Sequence, residues 1–123
     1  MPASETVSSF LRSTFRSLWA LELLLHLKRT RERTWARDEL IEELRGSALI
    51  VEQSLDGLMR AGLVSVDADG RARFQPANDE LDRLVDAAED LYLRKPGTVR
   101  RTIVSGSHSG LAIFADAFRL WKD

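Results

Sequence analysis

The chain has no cysteine. Disulfide frameworks, thiolate metal sites and cysteine nucleophiles are therefore excluded together. Histidine is nearly absent as well. His26 and His108 are the two present, and they lie far apart in sequence. A metal site needs several ligands, so His26, set among leucines, reads as a packed, hydrogen-bonded core residue. Long hydrophobic runs are missing too. The most apolar stretch, Leu18 to Leu27, is interrupted by Glu22 and His26 and is too short to span a bilayer. Met1 to Phe10 has neither a basic n-region nor an apolar h-region, so no signal peptide is expected and the expected compartment is the cytoplasm. Nor does the chain hold a glycine-rich phosphate loop or a His-Glu-x-x-His helix. Gly106 to Gly110 has His108 where a nucleophile elbow has serine, and Asp67 and Asp69 lack the terminal glutamate of a calcium loop. No catalytic set passes a spacing test, so the chain is not expected to be an enzyme, and no cofactor or metal is expected.

What is present is an ordinary globular composition, with 44% hydrophobic and 30% charged residues in 123 positions. That length suits one domain over 1–123 with a core that needs no staples. Net charge is −1, not the basic balance common in dedicated DNA binders. The charges are uneven, however. Lys28, Arg29, Arg31, Arg33 and Arg37 against Glu32 give +4 within ten residues, whereas Asp79 to Asp90 is acidic. Fifteen of the 18 basic residues are arginine, which weakens each as evidence of phosphate binding.

Periodicity predicts a mainly α chain with one small β-hairpin. Phe10, Leu11, Phe15, Leu18, Leu21, Leu24 and Leu25 predict a long first helix over 8–29. Thr34-Trp35-Ala36 is long enough for a minimal strand. Asp38 opens a second helix over 39–44. Arg45-Gly46-Ser47 is a tight break in which Gly46 supplies the permissive backbone and Ser47 the cap. A third helix over 48–60 carries Val51, Leu55 and Leu58 on one face and is stopped by Gly62. Alternation in Val64 to Val66 and Arg71 to Phe74, around an Asp-Gly turn, predicts a hairpin. Asn78 caps a fourth helix over 79–95, Pro96-Gly97 stops it, and a short helix is expected over 98–104. A last helix over 110–121 carries Leu111, Phe114, Phe118 and Trp121 along one side.

Helix, helix, tight turn, helix and hairpin is the winged helix-turn-helix order. Leu55, Leu58, Gly62, Leu63 and Val64 fit the pattern L-x-x-L-x-x-x-G-L-[VI]. Over roughly residues 18–75 the chain resembles the winged helix-turn-helix transcription regulators, broadly the MarR- and PadR-like groups. The resemblance implies a third helix in the major groove of double-stranded DNA and a wing on the backbone or minor groove. Ser47 and Gln53 are then the candidate contacts on the third helix. Arg60, Arg71, Arg73, Arg31, Arg33 and Arg37 are the candidate phosphate partners. Glu52 and Asp56 on the same helix repel the backbone, and that loss has to be recovered elsewhere. Residues 76–123 read as a helical extension whose Leu111, Phe114, Phe118 and Trp121 make a homodimer interface, joined by Phe10 and Phe15 from the other end of the chain. No membrane partner is expected. The alternative is an adaptor or regulatory subunit that binds a protein partner instead of DNA.

Overall fold

The computed structural model describes residues 4–105. Seven elements run in the order α1 Ser4–Thr14, α2 Leu18–Arg29, α3 Arg37–Leu44, α4 Ala48–Arg60, β1 Val64–Val66, β2 Ala72–Phe74 and α5 Asp79–Arg94. Residues 96–105 are also helical and are called α6 here. The described part is thus mainly helical with one two-stranded antiparallel sheet. Among the described residues no helix is long and apolar enough to cross a membrane. The expected last helix, with Leu111, Phe114, Phe118 and Trp121, lies outside the described residues.

The expected single helix over 8–29 is broken. Ser17 adopts an extended backbone and its Oγ accepts from the Ala20 amide at 3.1 Å, capping α2 afresh. Phe15 sits in the bend and meets Phe10 edge to face, with ring centroids 5.7 Å apart. Both rings are buried within the single chain. The expectation that Phe10 and Phe15 face a second copy is therefore corrected, because the bend turns their apolar surface into the chain's own core. That core is one cluster running from Val7 in α1 to Ile103 in α6.

The link from α2 to α3 carries the expected minimal strand. Trp35 and Ala72 exchange both backbone hydrogen bonds, at 2.8 and 2.7 Å, so the linker pairs with the edge of β2. The second helix starts earlier than the sequence suggests, at Arg37, because Glu39 Oε1 accepts from the Ala36 amide at 2.9 Å. The break before α4 also has a different chemistry. Arg45, not Gly46, takes the left-handed backbone, with φ 54°. Gly46 is required for space: a Cβ there would lie 2.5 Å from Cζ2 of Trp19.

Downstream, expectation and structure agree closely. α4 spans 48–60 and is closed by Gly62 at φ 77°. Leu63 N donates to Leu58 O and Gly62 N to Met59 O, the paired bonds of a Schellman end. Val64 pairs with Phe74 and Val66 with Ala72. Gly70, at φ 79°, closes the turn, and Asp67 Oδ1 accepts from the Asp69 and Arg71 amides. Asn78 caps α5 through the Leu81 amide at 2.8 Å. Pro96 occupies the first turn of α6 rather than preceding it, a place where its missing N–H costs nothing.

Candidate nucleic-acid interface

α3 and α4 pack against each other, and α4 buries Val51, Leu55 and Leu58. Its other side is open. Ala48, Leu49, Ile50, Glu52, Gln53, Asp56, Gly57, Met59 and Arg60 are all exposed. Ser47 caps the helix, its Oγ accepting from the Ile50 amide at 3.1 Å, which leaves the hydroxyl proton to donate outward. Gln53 is exposed and lines a groove of about 360 Å³ with Arg16, Ser17, Trp19, Ile50 and Gly57.

The candidate arginines divide sharply. Arg71 is spent inside the molecule. Its Nε donates to Thr34 Oγ1 at 2.9 Å, and one terminal nitrogen reaches both the Thr34 carbonyl and Glu39 Oε1. Arg33 bonds the other Glu39 oxygen at 2.9 Å and stacks over Trp35, 3.6 Å from the ring centroid. Glu39 thereby gathers the Ala36 amide, Arg33 and Arg71, which together hold its carboxyl below the usual carboxylate range. This knot ties the hairpin to the start of α3. Arg31 lies over the Phe74 ring and 3.6 Å from Asp82. Of the eight DNA-contact candidates, only Ser47, Gln53 and Arg73 carry no salt bridge among the described residues. Arg73 stands exposed on β2, opposite Ser65.

Arg37 and Arg60 sit beside the open side of α4 and answer the difficulty raised by its acids. Arg37 reaches Glu52 at 3.3 Å and Arg60 reaches Asp56 at 2.9 Å. Both pairs are exposed, so each is worth little and exchanges readily with solvent or another anion. The acids of α4 are therefore locally balanced, not a net negative stripe.

Two residues that sequence reasoning passed over lie beside this face. Arg16 enters the groove from the α1–α2 bend, and Arg45 is exposed in the turn just before Ser47. Arg45 was legible only as part of a turn. Arg16 could not be placed while 8–29 was read as one continuous helix, because the break at Ser17 is what brings it to α4.

Behind the interface, His26 packs on Trp35, with ring centroids 4.6 Å apart. Its Nε2 is buried with no hydrogen-bond partner among the described residues. Burial pushes its pKa down, Glu43 opposes that, and Arg29 and Arg33 add to it. Comparison with family models, with curated proteins and with solved structures finds no match to this chain.

Proposed function

We propose that the chain is a DNA-binding regulator of the winged helix-turn-helix kind, working in the cytoplasm as a dimer, with α4 as the reading helix. One observation carries this reading. The N-terminal half of α4 stands open, with Ser47 and Gln53 on it and arginines 16, 37 and 45 arriving from three separate segments. A reading helix contacts base edges through its N-terminal residues, so this is where cations are needed. Gln53 offers an amide that suits adenine, and the Ser47 hydroxyl offers a donor to phosphate. Arg73 on the hairpin is the wing cation free to meet the backbone. The dimer rests on the stripe Leu111, Phe114, Phe118 and Trp121, since Phe10 and Phe15 are consumed in the core. Two copies would set their α4 helices about 34 Å apart, one turn of duplex.

The test is retention of random and genomic duplexes at about 50 and about 200 mM salt. Salt-sensitive binding that enriches a near-palindrome is expected. Gln53→Ala should change which sequences are enriched, and Arg73→Ala should weaken all of them alike.

A second reading has its own support. Leu49 is 62% exposed, and Ile50 and Met59 are exposed on the same helix beside the groove. An apolar face next to a concave surface suits a protein partner, and duplex DNA gains little from it. No retention of any duplex at low salt would favour this adaptor reading.

A further inference from the structure

A second cationic surface lies away from α4, at the other end of the described chain. From Leu91 to Ala115 the sequence holds no Asp or Glu, yet it holds Arg94, Lys95, Arg100 and Arg101. Arg94 is paired with Asp90 at 2.8 Å. Lys95, Arg100 and Arg101 form no ion pair among the described residues; the one polar contact of Arg101 is a long 3.5 Å bond to Thr98 Oγ1. The helical register explains why they point outward. α6 is anchored through Val99 and Ile103, both fully buried. Positions 100, 101 and 104 are thereby turned away from the core, and Arg100, Arg101 and Val104 line one shallow concavity. Apolar side chains accompany the cations: Val104 is 56% exposed, and Leu93, near the end of α5, is 69% exposed.

We propose that this end of the described chain, the α6 concavity of Arg100, Arg101 and Val104 together with exposed Leu93 and Lys95 at the α5–α6 junction, docks on an anionic membrane surface. The charge selects a polyanion, and the apolar members select among polyanions. A phosphate backbone gains nothing from contact with leucine or valine. A lipid interface accepts cations at its headgroups and apolar side chains just beneath them. No spanning helix is needed for such a contact, and the surface attraction of several basic residues adds up even when each is weak. This face shares no residue with the α4 interface, so the proposal stands whether or not α4 binds DNA.

The experiment is co-sedimentation of the full chain with vesicles of phosphatidylglycerol and phosphatidylcholine, set against phosphatidylcholine alone. Binding to the anionic vesicles only is expected. The triple variant Lys95→Glu, Arg100→Glu, Arg101→Glu should lose it by about 100-fold, from three cations reversed near the surface. Leu93→Ser with Val104→Ser keeps the charge and should lose roughly fivefold or more. All five side chains are exposed, so circular dichroism should show each variant folded. Failure of the wild type to sediment, equal sedimentation with neutral vesicles, or an unaffected triple variant would each overturn the proposal. Unchanged binding by the serine pair would also overturn it, leaving only diffuse charge attraction. If the triple variant loses duplex retention while vesicle binding stands, the face belongs to nucleic acid. Gln53→Ala, on the α4 side, should leave vesicle binding as it is and marks failure of the DNA reading separately.

Discussion

The two basic segments of this protein look alike in sequence and meet opposite fates in the fold. Lys28 to Arg37 is the denser, and by composition it is the obvious phosphate-binding run. Every cation in it is answered from inside the molecule: Lys28 by Asp86 and Glu89, Arg29 by Glu89, Arg31 by Asp82, Arg33 by Glu39 and Arg37 by Glu52. The acidic stretch of α5 accounts for the first three. Packing α5 beside α2 sets its carboxylates against the basic end of that helix, so the contrast of charge along the chain is an internal seam. The later segment, Lys95 to Arg101, has no such counterpart among the described residues, and its cationic side chains are exposed. A basic run is therefore evidence for an external anion only after the fold's own acids have been assigned.

The comparison breaks most visibly at Lys28. Its side chain is partly buried; burial works against its charge, but hydrogen bonds to Glu89 and Asp86 outweigh that and hold its pKa up. Glu89→Ala strips away the nearer carboxylate and the partner of Arg29. It should cost about 2 kcal/mol, below the value for a fully buried pair because solvent reaches this one. Lys95→Ala should cost less than about 0.5 kcal/mol, as an exposed side chain with no ion pair among the described residues. Denaturant midpoints of the two variants check the difference, and equal values would mean that the seam stabilises nothing. Arg71→Ala comes next. Its three hydrogen bonds join the hairpin to Thr34 and Glu39, so a loss of about 1–2 kcal/mol is expected. Arg73→Ala, two residues along the same hairpin, should leave stability unchanged and affect only ligand binding.

How far the sequence disclosed this arrangement differed from segment to segment. From Ser47 to Asn78 local chemistry decides the structure. Ser47, Gly62, the Asp-Gly turn and Asn78 each satisfy backbone groups within a few residues of themselves, so their effect is readable from spacing alone. The break between α1 and α2 was missed because the apolar stripe continues through it; Ser17 was the available signal, an N-cap residue three positions before an amide it can accept from. The duty of Gly46 is hidden from the sequence for a different reason. Its need is contact with Trp19, 27 positions earlier, which no local pattern reveals. The candidate site suffered most from such distances. That Ser47 and Gln53 lie exposed on α4 follows from helical period. That Arg71 is bound to Thr34 and Glu39, or Arg37 to Glu52, depends on pairings between elements. Net charge and local charge counts do not report them.

On the α4 face the comparison can be sharpened by releasing a cation that the fold holds. Glu52→Gln removes an acid from the proposed reading side and frees Arg37. Under the DNA reading, affinity should rise roughly fivefold and the salt dependence should steepen by about one phosphate contact. Unchanged affinity would mean that α4 does not approach a phosphate backbone. Arg45→Gly separates structure from binding at one position. Arg45 occupies left-handed backbone that glycine adopts without cost, so the variant should gain about 0.5–1 kcal/mol of stability. If Arg45 is a phosphate contact, the same variant should bind duplex more weakly, and a stabilised variant with undiminished binding would remove it from the interface.

The smallest effect concerns the junction where the basic run meets the hairpin. His26 lies against Trp35, and Trp35 holds Ala72 of β2 through its backbone and Thr30 through its indole N–H. Burial lowers the pKa of His26 below 6.5, and Arg29 and Arg33 from the same basic run add to that, with Glu43 on α3 opposing them. The folded state therefore prefers the neutral ring. Above pH 6.5 neither state carries the proton and the contribution is whole; as pH falls below 6.5 the unfolded chain takes up a proton that the folded one resists, and stability declines until the lowered folded pKa is reached. Glu39 acts in a lower window. Its depressed pKa contributes stability that is present above 4.5 and is lost as pH falls through the folded value. Melting temperatures taken between about pH 7 and about pH 2 should fall in two stages, and His26→Leu should erase the upper one while leaving the lower intact. An upper stage that survives in His26→Leu would remove the ring behind the hairpin as the source of that acid response.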